Sequence, residues 1–210
     1  FPKTFLLAVV SITFAMVVGI GSGILCALKK DSLFDRLALM LSVAGMSLPS
    51  FFAAILIAWI FAFVLADYTG LNMFGSLYSV DDFGGGEYLD LKNLILPAFT
   101  LGIRPLAVIV ELTRSSMLEV LSQDYIRTAK AKGLSGNHII WHHALRNAMN
   151  PVATAVTGWV ASLMAGAVFV EYVFDWKGIG VVIVDALEKY DFPVIMGAVL
   201  FISVILVIIN

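Results

Sequence analysis

The chain has 210 residues, 60% of them hydrophobic and 13% charged, with a mean hydropathy of +0.97. Soluble domains carry about 45–50% apolar and about 25% charged residues, so this composition excludes them, along with disordered, fibrous and disulfide-stapled chains, since the single Cys26 has no internal partner. A net charge of −2, from 13 basic and 15 acidic residues, supplies no basic field for nucleic acid, and what remains is an all-α integral membrane protein built as one bundle of spanning helices.

The chain opens at Phe1-Pro2-Lys3 without an initiator Met and stops inside an apolar run, so it is read as a fragment, with one more span expected before Phe1. Crossing about 30 Å of hydrocarbon takes roughly 20 helical residues. Five stretches qualify or nearly do, at 4–28, 37–66, 94–113, 151–170 and 193–210, and together they make one transmembrane domain over 1–210. The first is too long for a leader peptide and ends in Lys29-Lys30 without a small-residue cleavage site. Its Gly19-Ile20-Gly21-Ser22-Gly23 predicts a close helix crossing and not a catalytic serine turn, because no intramembrane His stands ready to activate Ser22.

The second stretch contains Ser47-Leu48-Pro49-Ser50, where proline removes a backbone hydrogen bond and predicts a kink. In the third, Arg104 and Glu111 are the ionisable residues well inside a span. Each intramembrane charge costs at least about 2.5–3.5 kcal/mol on insertion scales, so each should face protein or a water-filled path. Seven residues apart, they share one side of the helix. Bridging to neighbouring helices and lining a water-filled path, together with Pro49, both remain open.

Basic residues gather in alternate loops, the pattern left by cytoplasmic retention of positive charge. Lys29, Lys30 and Arg36 occupy the first loop and Arg114, Arg127, Lys130, Lys132 and Arg146 the third, eight of the 13 in all. Asp67, Asp81, Asp82, Glu87 and Asp90 occupy the second, and Glu171, Asp175, Asp185, Glu188 and Asp191 the fourth. The N-terminus and the acidic loops are therefore expected outside, and the C-terminus in the cytoplasm.

The third loop, 115–150, is far longer than a connection needs. Leu118, Leu121, Tyr125 and Ala129 recur at three- and four-residue spacing, which predicts one face of a single helix. Lys130 and Lys132 suit its last turn and Gly133 its C′ position. Ser135 can cap a second helix through His138, Ile140, Trp141 and Leu145, closed by Asn150-Pro151 where the next span starts. Such a helix–glycine–helix elbow either lies on lipid headgroups or docks a cytoplasmic protein. His138, His142 and His143 lack a third ligand of the right kind for metal and are read as packing or docking residues, so no metal site is expected.

The run Asp124-Tyr125-Ile126-Arg127-Thr128-Ala129-Lys130-Ala131-Lys132-Gly133-Leu134, with His143-Ala144-Leu145-Arg146-Asn147-Ala148 and Pro151, resembles the cytoplasmic signature loop of ABC importer permeases, and more narrowly that of the dipeptide, oligopeptide and nickel subfamily. The general pattern begins Glu-Ala-Ala and ends Ile-x-Leu-Pro; Arg127-Thr128-Ala129 and His143-Ala144-Leu145-Arg146 depart from it in the subfamily's manner. Ser47-Leu48-Pro49-Ser50-Phe51, 96–101 and 171–180 extend the resemblance over nearly the whole chain. Lys177 stands where relatives usually have Pro, and 81–86 lacks a Pro-rich form; both departures fall in loops expected outside.

The resemblance implies a multi-pass permease subunit of the prokaryotic inner membrane, importing peptides or a related solute such as nickel or glutathione. It also implies a second homologous permease, two cytoplasmic ATPases and an extracytoplasmic binding protein as partners, with membrane lipid around them. Asp124, Tyr125, Arg127, Thr128, Ala129, Ala131, Lys132, Gly133, Leu134, His143, Arg146 and Asn147 would meet the ATPase. The chain has no G-x-x-x-x-G-K-[ST], so ATP and Mg are expected on partner chains and no cofactor on this one, which is not itself an enzyme. An ion-coupled secondary transporter would account for Pro49, Arg104 and Glu111 but not for the elbow. A membrane-embedded enzyme would have only Ser22 and the cytoplasmic histidines to work with.

Overall fold

The computed structural model describes residues 1–80 and 87–209. The second-loop run Asp81-Asp82-Phe83-Gly84-Gly85-Gly86 lies outside the described residues. Each of the five apolar stretches is helical. Helix α1 (Pro2–Leu28) covers the first, and α2 (Leu33–Ser47) with α3 (Ser50–Trp59) the second. Helix α3 runs on through a π turn, Ile60–Val64, before the short α4 (Ala66–Thr69). Strands β1 (Tyr78–Val80) and β2 (Glu87–Leu89) pair antiparallel, Tyr78 opposite Leu89. Then follow α5 (Lys92–Leu121), α6 (Asp124–Ala131) and α7 (Gly136–His138), which passes through a second π turn, Ile139–Ala144, directly into α8 (Leu145–Val173). Helices α9 (Ile179–Glu188) and α10 (Phe192–Ile209) complete the described chain.

Helices α1 and α5 are long and apolar enough to cross a membrane as single rods. The α2/α3 and α7/α8 regions qualify as broken spans, and α10 is a shorter apolar helix. The break between α2 and α3 falls at Leu48-Pro49, where proline was expected to interrupt the ladder; the Pro49 carbonyl accepts the Ala53 N–H at 3.0 Å and starts α3.

The described residues cluster into two compact units. One comprises Phe1–Thr13, Leu48–Gly102 and Trp159–Asn210, the other Phe14–Ser47 and Ile103–Gly158. In the first unit, Phe174 and Trp176 are buried, and the Trp176 indole N–H donates to the Lys3 carbonyl at 3.1 Å. The Thr4 hydroxyl oxygen accepts the Ile179 N–H at 2.9 Å, and the Glu171 carboxylate accepts the Gly180 N–H at 2.6 Å. Glu171, expected in the acidic fourth loop, is 0% exposed. A carboxylate so placed is held by the backbone donor it receives.

In the second unit, α1 packs on α5 through the expected glycine crossing. A Cβ on Gly19 would meet Ile109, and one on Gly23 would meet Thr113 and the Val110 carbonyl, whereas Gly21 faces open space. The crossing thus uses the two glycines four apart, which lets the backbones approach. Helix α2 packs on a different side of α5: Gly45 approaches Ile103, and Asp35 pairs with Arg114.

Candidate functional site: the helix–glycine–helix elbow

The elbow lies wholly in the second unit. Two expectations about its helices are corrected. Helix α5 does not end near residue 113 but continues to Leu121, so Leu118 and Leu121 close α5 while Tyr125 and Ala129 belong to the separate α6. The interruption is at Ser122 and Gln123, whose N–H groups bond three residues back to Glu119 and Val120. The Ser122 hydroxyl also donates to the Glu119 carbonyl, and Gln123 is extended at ψ 151. A serine that competes for its own turn's carbonyl, followed by a tightened last turn, ends the helix.

The second correction concerns Pro151, which does not close the elbow's second helix but sits inside α8. Membrane helices carry such a proline, whose ring leaves the Asn147 carbonyl without its usual i→i−4 donor. The helix therefore passes through Pro151 without ending there.

Between these helices the turn is made as expected. Lys132 is the C-cap of α6 and Gly133 follows at φ +80. Gly133 N–H donates to Lys130 O, and Leu134 N–H donates to Ala129 O, the paired bonds of a Schellman turn. Nothing lies within 4 Å of where a Gly133 Cβ would stand, so glycine is required there by φ and not by crowding. Ser135 caps the second arm, accepting the His138 N–H at 3.4 Å. Asp124 in the first turn of α6 and Lys130 in its last both complement the helix dipole.

A side-chain brace joins the arms. The Asn147 amide donates to the Tyr125 hydroxyl at 2.9 Å and to the His143 carbonyl at 3.0 Å. Under the elbow, Ile126, Ala129, Ile139, Ala144 and Ala148 pack against Ile24 and Ala27 of α1 and Met117 of α5. Tyr125, Thr128, Ala129, Lys132, Leu134 and His143 line a cleft of about 360 Å³ between the arms. Six of the twelve expected docking residues thus converge on one concavity, and Asn147 braces its wall. Asp124, Arg127, Ala131, Gly133 and Arg146 are exposed but do not line it. Arg127 and Asp124 form a fully solvated pair at 3.3 Å. The His138 and His142 rings stack at 4.3 Å.

The elbow's anchorage includes a contact that residue patterns did not single out. Asp35, 1% exposed, accepts from Arg114 Nε at 2.6 Å and Nη2 at 2.8 Å, and from the Asp31 N–H at 2.9 Å. Arg114, read as a loop cation, is thus a helical residue in a bidentate pair. The available signal was an acid three residues after the capping Ser32, whose hydroxyl oxygen accepts the Asp35 N–H. Arg104 and Glu111 are both exposed, with no ion pair among the described residues. Pro49, exposed as well, belongs to the other unit.

Residues 19–210 match the family described as binding-protein-dependent transport system inner membrane component. The chain is 39% identical over 223 residues to the di/tripeptide transport system permease protein DppB of Pseudomonas aeruginosa, covering 100% of this chain and 66% of that one. It is 40% identical over 229 residues to the dipeptide transport system permease protein DppB of Escherichia coli K12, and 42% identical over 227 residues to the protein of that name from Haemophilus influenzae. Each of these two alignments covers 100% of this chain and 67% of the relative. The chain thus spans about two thirds of the length of the curated relatives it matches. In fold it is similar to a chain of the inward-facing MetNI methionine ABC transporter, with a TM-score of 0.69 at 14% identity, over 99% of this chain and 88% of that one. Spanning helices of the right length, the elbow between α5 and α8, and a family match over residues 19–210 agree: the chain belongs to the binding-protein-dependent transport system inner membrane component family.

Proposed function

We propose that the chain is the membrane-spanning core of a permease subunit that imports short peptides, driven by ATP hydrolysis on a separate cytoplasmic chain that docks on the elbow. The carrying observation is the elbow itself. Its glycine turn, its Asn147–Tyr125 brace and its cleft form a rigid two-armed element, and its second arm is continuous with α8. A push or pull on such an element is carried through Pro151 into the helix that follows. The peptide substrate is taken from the relatives' names, di/tripeptide and dipeptide permeases.

On this reading five segments cross the bilayer, with the elbow inside and the 171–191 region outside. A second homologous permease completes the pore, two ATPases bind ATP and Mg, and an external binding protein delivers peptide. Arg104, Glu111 and Pro49 are candidates for the path. The ion-coupled alternative has no use for the elbow and no counterpart in a family named for dependence on a binding protein.

The test is purification of the full chain with its partners and reconstitution in vesicles. ATP-dependent, vanadate-sensitive peptide uptake is the expected result. Uptake that collapses with an ionophore and needs no ATPase chain would overturn the proposal.

A further inference from the structure

Three features fix the sides of α5. Gly19 and Gly23 of α1 sit against Ile109, Thr113 and the carbonyls of Leu106 and Val110. Gly45 and Asp35 of α2 meet Ile103 and Arg114. At 3.6 residues per turn these contacts occupy two adjoining sectors of the helix. Arg104 and Glu111 lie within about 20° of each other on the side facing away from α1, with Val108 half-buried between them and exposed Ser115 one turn beyond. The stripe therefore holds one cation and one anion, both exposed and unpaired among the described residues, on a helix whose other sides are packed.

Two opposite charges left apart in an apolar span are poorly placed for stability, because intramembrane charges are normally paired or hydrated. They are well placed for a ligand that carries the complementary pair. Seven residues at 1.5 Å rise set them about 10 Å apart along the axis. A peptide with both termini free has a carboxylate at one end and an ammonium at the other. At about 3.3–3.6 Å per residue, three extended residues span about 10 Å, and the flexible Arg and Glu side chains extend the range to two or four. We propose that Arg104 and Glu111 form a bipolar binding site for short zwitterionic peptides, Arg104 receiving the carboxylate and Glu111 the ammonium. Specificity lies in termini and length, and the apolar Val108 between them tolerates any side chain. This rests on the peptide-permease reading above.

The reporter is Val108→Cys in a Cys26→Ser background, which leaves both charges in place. In the assembled complex without ATP, and again after vanadate trapping, a small hydrophilic methanethiosulfonate is added and its reaction with this chain is followed by mass spectrometry. Val108→Cys is expected to react in at least one state, and Ile109→Cys, on the packed side, in neither. Millimolar trialanine is expected to slow the reaction at position 108 at least fivefold, and N-acetyl-trialanine amide to leave it unchanged. Adding Arg104→Gln or Glu111→Gln should reduce the protection below twofold, and Arg104→Lys should keep it. No reaction at 108 in either state, equal protection by free and blocked peptide, or protection that survives both neutralising substitutions would each overturn the site. These rates are read without uptake, so failure of the importer reading, seen as absent ATP-dependent uptake, is separately visible.

Discussion

The carboxylate of Asp35 is gripped by two N–H donors on one edge of the Arg114 guanidinium, with Nε and Nη2 at 2.6 and 2.8 Å, and a backbone N–H adds a third donor. With the side chains only 2% and 19% exposed, this pair ties the start of α2 to the C-terminal third of α5, on the elbow's side of that helix. Removing one partner leaves a buried charge uncompensated, which costs about 3–5 kcal/mol. Asp35→Ala and Arg114→Ala should each lower the thermal midpoint of the detergent-solubilised complex strongly. The double substitution Asp35→Leu with Arg114→Met should recover most of the loss; losses that simply add would show the pair to be uncoupled.

At Gly133 the φ of +80 has no steric company. Any L side chain in the left-handed region costs roughly 1–2 kcal/mol, least for Asn. Gly133→Asn should leave substrate-stimulated ATPase near normal. Gly133→Asp should leave membrane insertion intact while stimulation falls, because the turn that sets the two arms is strained and gains a charge. Normal stimulation in Gly133→Asp would remove the elbow from coupling.

The α1–α5 crossing makes a graded prediction within five residues. A Cβ at Gly23 would stand 2.6 Å from the Thr113 Cβ and 2.8 Å from the Val110 carbonyl, one at Gly19 would stand 2.9 Å from Ile109, and Gly21 is open. Overpacking of this kind costs about 1–3 kcal/mol. Gly23→Ala should destabilise most, Gly19→Ala less, and Gly21→Ala should be neutral, as read from the yield and melting of the purified complex.

In the first unit, Gly180 lies so close to α8 that a Cβ would meet the Val168 Cα at 2.5 Å, and backbone cannot rotate away. Gly180→Ala should open the 174–180 turn to protease. Glu171→Gln preserves an acceptor for the Gly180 N–H and should resist cleavage, whereas Glu171→Ala leaves that buried donor unmet, at about 1–3 kcal/mol, and should not.

Much of the elbow was legible because its signals are local. Gly133 after a run ending in cations and Ser135 three residues before His138 each act within one turn of chain, and each stands where its chemistry predicts. The end of α5 was misplaced because Leu118, Leu121, Tyr125 and Ala129 keep helical spacing across Ser122 and Gln123. Periodicity does not register a break that preserves phase. Pro151 was misread for the opposite reason: a residue that ends soluble helices is carried inside a membrane helix.

By itself the sequence determined that the protein is a helical membrane protein, where its apolar stretches and its elbow lie, and which family pattern the elbow follows. Those properties follow from composition and from residues near one another in the chain. Only the tertiary structure decided that Arg114 belongs to Asp35, 79 positions away, that Glu171 is buried against Gly180, and that Arg104 and Glu111 have no ion pair among the described residues on the side of α5 left free by α1 and α2. The reason is physical. A charge carries no mark of its partner, and whether it is paired, buried or left exposed to a ligand depends on which helix faces are covered when the chain packs.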